Sequence, residues 1–212
     1  MVIEMNSSLA AAALAAAFLA AASVLAFSAM PDLLIWAAFI GWASYDHSGA
    51  TLQAALRSSA ALVFGVVMAW VVAAVVAAGM LPFGTPLATA VSAGIASFLI
   101  VLASARPSLS VVPATFYGFA STFAYLSLVP GAFTINALMV FNARNALVAV
   151  PISLLIGTAL GIAQGSSARV LMAGDVRAVP ARALRLDGSP IADGNRRNAL
   201  EERAGTFDGR FE

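Results

Sequence analysis

Two stretches of this chain say nearly the same thing: Trp36-Ala37-Ala38-Phe39-Ile40-Gly41-Trp42-Ala43-Ser44 and Pro113-Ala114-Thr115-Phe116-Tyr117-Gly118-Phe119-Ala120-Ser121. Ala, Phe, Gly, Ala and Ser coincide, each pair 77 residues apart, as Gly41 is from Gly118. Both stretches lie inside a chain of 212 residues that is 61% hydrophobic, with a mean hydropathy of +0.93. A duplicated, glycine-containing apolar segment in such a chain predicts a membrane protein built from two related halves. In many transporters the solute path lies where such halves meet.

A weaker echo follows the first. Gly65 and Ala69 match Gly157 and Gly161, 92 residues on. The offsets of 77 and 92 differ by 15, which implies an insertion in the second half, around residues 128–142.

Charged residues make up 10% of the chain, against about 25% in a soluble domain. Between Ser7 and Gln164 they are Asp32, Asp46, Arg57, Arg106 and Arg144. A chain that cannot cover its surface with polar groups needs lipid as solvent. There is no cysteine and a single histidine, His47, which removes disulfides, thiol catalysis and a multi-histidine metal site. No basic stripe exists for nucleic acid. No cofactor motif is visible, and no nucleophile–base pair or paired intramembrane carboxylates point to an enzyme.

Apolar runs long enough to cross a bilayer, roughly 20 residues, cover about 8–29, 50–79, 86–105, 110–128 and 134–163. A sixth, 33–45, reaches only about 20 Å against a core of ~30 Å. The first run has no Lys or Arg before it and exceeds the usual signal-peptide core, so it reads as a retained helix. Pro31-Asp32, Asp46-His47-Ser48-Gly49, Pro82 to Pro86, Arg106-Pro107 and Pro130-Gly131 separate the runs, and Pro151 falls inside the last.

The expected fold is therefore all-α. Six transmembrane helices form two inverted three-helix repeats, about 8–79 and 86–163, within a membrane domain of residues 1–165. Residues 166–212, with most of the arginines and acids, are expected to be a disordered cytoplasmic tail. Arg57, Arg106 and the arginines of the tail share one side in this arrangement. The loops at 30–32, 80–85 and 129–133 hold neither Lys nor Arg, which puts both termini in the cytoplasm.

Ala37, Gly41 and Ser44 stand at i, i+4 and i+7, and Ala114, Gly118 and Ser121 repeat the spacing. Such smooth stripes let membrane helices pack closely. Their functional alternative is a narrow solute path offering the hydroxyls of Ser44, Thr115 and Ser121. Phe39 and Phe116, at equivalent positions, would form a constriction in it, or simply pack. Asp46, His47 and Arg57 read as an interfacial cluster with an Asp46–Arg57 pair, or as a titratable gate. Arg144 is an outer-surface residue if its helix begins near Asn145. It faces a polar cavity and an anionic solute if the helix begins near Thr134. Gly65, Ala69, Gly157 and Gly161 read as helix-packing positions, within the monomer or between copies in a homo-oligomer.

The run Leu33 to Tyr45, the phrase Gly65-Val66-Val67-Met68-Ala69, and Val112-Pro113-Ala114-Thr115-Phe116-Tyr117-Gly118-Phe119-Ala120-Ser121-Thr122-Phe123-Ala124 together resemble the bacterial inner-membrane family known as domain of unknown function 1097. The resemblance covers about residues 8–165. It implies a multi-pass inner-membrane protein and carries no activity, substrate or catalytic residue. The residues themselves point to a channel or secondary transporter for a small polar or anionic solute. A non-transporting scaffold or accessory subunit is the alternative.

Overall fold

A computed structural model describes residues 7–178, with side chains from 8 to 172, and is all-helical over that range. In order the helices are α1 (Ser7–Ser28), α2 (Ile35–His47), α3 (Leu52–Ala77), α4 (Thr85–Ala103), α5 (Val112–Leu128), α6 (Ile135–Met139) and α7 (Ala146–Ala178), with a 3₁₀ turn at Pro107–Leu109 before α5. Met1–Ala173 form one compact unit. Of a second unit, Gly174–Glu212, only the helical residues up to Ala178 are described.

Local chemistry places the breaks. Thr51 caps α3 by accepting the amide of Ala54 at 3.0 Å. Pro86 and Pro113 sit in the first turns of α4 and α5, where a missing N–H costs nothing. Gly79, at φ +62°, turns the chain after α3. Pro151 lies inside α7, which continues past it.

α1, α3, α4 and the stretch of α7 from Ala146 to Met172 are long and apolar enough to cross a membrane. α2 and α5, the two carriers of the duplicated motif, have 13 and 17 residues. At 1.5 Å per residue they reach only about 20 and 26 Å. Burial sorts the helices into layers. In their most apolar windows α3 and α7 are 39% and 44% buried, α1 and α4 only 17% and 22%. The outer pair therefore presents Leu14, Phe18, Leu25, Ile95 and Phe98 outward, as lipid contact requires. The core joins Ala37, Leu62, Val66, Ala114, Val150 and Leu154 from the inner four helices. A smaller cluster sits between α3 and α4.

Two expectations need correction. The run 134–163 is not one helix: it breaks between α6 and α7. Asn145 is the cause. Its side chain is 1% exposed; Nδ2 donates to the carbonyls of Leu138 and Val140 at 2.9 Å and of Ala137 at 3.2 Å. Its Oδ1 accepts the amide of Leu147 at 2.8 Å, capping α7. The residues inserted between the two offsets thus form a short helix and a capped turn. The second correction is at the other end of α7, which runs on to Ala178. The first residues of the expected disordered tail are helical, since Ser166 to Ala178 contains good helix formers and no proline. The remainder of that tail lies outside the described residues.

Candidate functional site at the helix crossings

Four of the five glycines in the two echoes meet the backbone of another helix. A Cβ built on Gly41 would lie 1.9 Å from the Leu154 carbonyl oxygen, and one on Gly157 would lie 1.7 Å from that of Ala38. This is the crossing of α2 with α7. A Cβ on Gly118 would lie 2.0 Å from the Leu62 oxygen, and one on Gly65 would lie 1.9 Å from that of Thr115. This is the crossing of α3 with α5. Backbone meets backbone at both, which only glycine permits.

The two crossings are copies of one another. Moving Ala38 and Gly41 forward by 77 gives Thr115 and Gly118; moving Leu154 and Gly157 back by 92 gives Leu62 and Gly65. Each motif helix thus locks onto the last long helix of the other half of the sequence. Burial follows the same offsets. Ala37, Ala38, Gly41, Ser44 and Tyr45 are buried, and so are their counterparts Ala114, Thr115, Gly118, Ser121 and Thr122. Ser58, Ala61, Leu62, Gly65, Val66 and Ala69 are buried, as are Val150, Ser153, Leu154, Gly157, Thr158 and Gly161. Even α1 and α4 agree, through Ala11 with Ala88, Ala15 with Ser92, and Ser23 with Ile100.

Hydroxyls surround the crossings. Ser44 and Ser58 share a buried hydrogen bond of 2.7 Å. Thr122 donates to the Gly118 carbonyl at 2.9 Å, and Thr158 to that of Leu154 at 3.3 Å. Ser153 donates to Ala149 and accepts the amide of Leu34 at 2.9 Å, tying the start of α2 to α7. Thr115 is 1% exposed. Ser121, equally buried, has no hydrogen-bond partner for its hydroxyl among the described residues. The offsets show the difference: the counterpart of Ser58, the partner of Ser44, is Val150. An unpaired buried hydroxyl costs about 1–3 kcal/mol.

Other expected site residues lie elsewhere. Phe39 turns outward, 37% exposed, and its ring meets Trp42 with centroids 6.3 Å apart. Phe116 is half-buried. The structure does not bring the two rings together as a constriction. Arg144 precedes α7; its side chain is 80% exposed and pairs with Asp32 at 3.0 Å. It is a surface residue, and its helix begins beside Asn145 rather than near Thr134. Its carbonyl accepts the Tyr125 hydroxyl at 2.5 Å, and the neighbouring Leu138 carbonyl accepts the Trp70 indole at 3.2 Å. Asp46 hydrogen-bonds with Trp42; the expected Asp46–Arg57 ion pair does not form, and Arg57 and His47 are exposed. Gly161 faces the rings of Tyr45 and Trp42, and Ala69 is fully buried. Among the described residues no three His, Cys, Asp or Glu side chains converge as metal ligands would.

Sequence reading took Asn145 only as a helix start and missed that its side chain ties the inserted segment to itself; it passed over Tyr125 and Trp70, which fasten that segment to α5 and α3. The signal for the first was present in Asn142-Ala143-Arg144-Asn145, a polar knot inside an apolar run.

Long apolar helices around a glycine-locked centre define a polytopic helical membrane protein. The family model described as "Protein of unknown function (DUF1097)" matches residues 13–169, and the chain belongs to that family. Neither the curated proteins nor the solved structures contain a significant match.

Proposed function

We propose that this protein is a channel or secondary carrier for a small polar solute, built as six crossings in two inverted three-helix repeats. The observation that carries the reading is the meeting of α2 and α5. They are the shortest of the six crossing helices, at 13 and 17 residues, they touch each other, and they bring Ser44, Thr115, Ser121 and Thr122 into the buried centre. Membrane carriers built from repeats bind solutes near the midplane where the repeats meet. The Ser121 hydroxyl supplies a donor and acceptor not committed elsewhere among the described residues. Preference for anions draws only on Arg144, which is engaged at the surface with Asp32, so neutral polar solutes are favoured. The expected setting is a bacterial inner membrane with both termini cytoplasmic. Asp32 and Arg144, paired, share the outer side, and Arg57 and Arg106 lie on the inner.

The test is osmotic swelling of proteoliposomes with a panel of small neutral and ionic solutes. Entry of a polar solute, reduced in Ser121→Ala while the variant stays folded, supports the reading. Exclusion of every solute refutes it. The glycine-locked crossings also favour a second reading, a rigid scaffold for a partner membrane protein. Impermeable vesicles together with stoichiometric co-purification of one partner would establish that instead.

A further inference from the structure

A cavity of about 420 Å³ opens at the start of α3, bordered by Tyr45, Thr51, Leu52, Ile162, Ser166 and Arg169. Its chemistry is one-sided. The first amides of α3, at Leu52 and Gln53, have no partner within the helix, as at any helix start. Thr51 accepts the Ala54 amide, which leaves its own proton free to donate. Arg169 forms no ion pair among the described residues, and no carboxylate borders the cavity. The decisive group is Tyr45. It is only 5% exposed, its ring is held against Gly161, and its hydroxyl has no hydrogen-bond partner among the described residues. The ring is buried, while the hydroxyl is not among the sealed unpaired atoms of the described residues, so at the cavity wall it is a donor that a ligand atom can reach. Guanidinium, helix N-terminus, hydroxyl and phenol together match a phosphate.

We propose that this cavity binds a phosphate group, carried either by an anionic phospholipid headgroup or by a small soluble phosphate. The surroundings accommodate the lipid form. Leu52 and Ile162 give the cavity an apolar rim, and Ser166 also borders an apolar groove of about 600 Å³ lined by Leu14, Phe18 and Val170. The site is independent of the transport reading, since it uses neither Ser121 nor the glycine crossings.

The experiment is native mass spectrometry of the full-length protein in neutral detergent, titrated with phosphatidylglycerol and, as reference, phosphatidylcholine. Phosphatidylglycerol is expected to bind at least tenfold more tightly. Arg169→Gln should remove that preference. Tyr45→Phe, which keeps the ring on Gly161, should weaken binding about tenfold, as losing a hydrogen bond to a charged group does. Arg57→Gln, an exposed arginine outside the cavity, should bind as wild type. Equal affinity for the two lipids, or equal loss in Arg169→Gln and Arg57→Gln, overturns the proposal. Competition by inorganic phosphate or glycerophosphoglycerol assigns the site to soluble phosphates; its absence, with the Arg169 dependence intact, assigns it to the headgroup.

Discussion

Replacing Gly118 by alanine adds one methyl group to the crossing of α3 and α5. The new carbon would sit 2.0 Å from the Leu62 carbonyl oxygen, where ordinary contact begins near 3.4 Å. The obstacle is backbone in a packed helix, so no rotamer change relieves it. The helices must separate by about 1.4 Å, and a gap of 0.5–1 Å already forfeits a quarter to a half of the dispersion energy of the atoms facing it. We expect a loss of about 3 kcal/mol, at the upper end of overpacking costs. Gly94→Ala is the control. It lies in α4 with nothing within 4 Å of its added carbon, and it should be neutral or stabilising by up to about 1 kcal/mol. Equilibrium unfolding of the purified protein in mixed detergent micelles gives both values. If Gly118→Ala costs no more than Gly94→Ala, the close crossing is wrong. A double variant sharpens the test. Gly65→Ala with Gly118→Ala strains a single crossing, so the second methyl enters a gap already opened and the costs should fall short of additive. Gly118→Ala with Gly157→Ala strains two crossings and should come closer to additive.

Asn145→Ala should cost about 3 kcal/mol in the same assay, because it removes one of the two donors to the buried Leu138 carbonyl, leaves the part-buried Val140 carbonyl without its side-chain donor and uncaps α7. Arg144→Ala should cost about 1 kcal/mol or less, since its ion pair is largely exposed. Ser44→Ala leaves Ser58 unpaired and should cost about 1–2 kcal/mol, whereas Ser121→Ala deletes an already unpaired group and should be close to neutral; the reverse order would show that Ser121 is paired. The chain has no cysteine, so single cysteines at positions 32, 83 and 144 are expected to react with an impermeant maleimide from outside, and those at 57, 106 and 169 only after the cells are opened. Labelling of 32 and 144 from opposite sides would contradict their ion pair.

Much of the fold is readable from local signals. Apolar run length located α1, α3, α4 and α5 within a few residues, because transfer into lipid depends on composition over about 20 residues. The two echoes picked out the four glycines that the structure places in backbone contact. The run before α7 misled for an equally local reason. Hydropathy averages over Asn142 to Asn145, and the break depends on Asn145 finding three carbonyls of its own loop.

The sequence by itself determined that this is a helical membrane protein, that its motif occurs twice, and which small residues matter. Period, hydropathy and repetition are properties of contiguous residues. Only the tertiary structure decided the partners: that Gly41 meets α7 and Gly118 meets α3, that Arg144 reaches back to Asp32, that Phe39 turns away from the centre, and that Ser121 and Tyr45 keep hydroxyls without partners among the described residues. Those outcomes depend on atoms far apart in the chain and close in space. A small side chain announces that a backbone can approach, and which backbone does so is settled only when the helices pack.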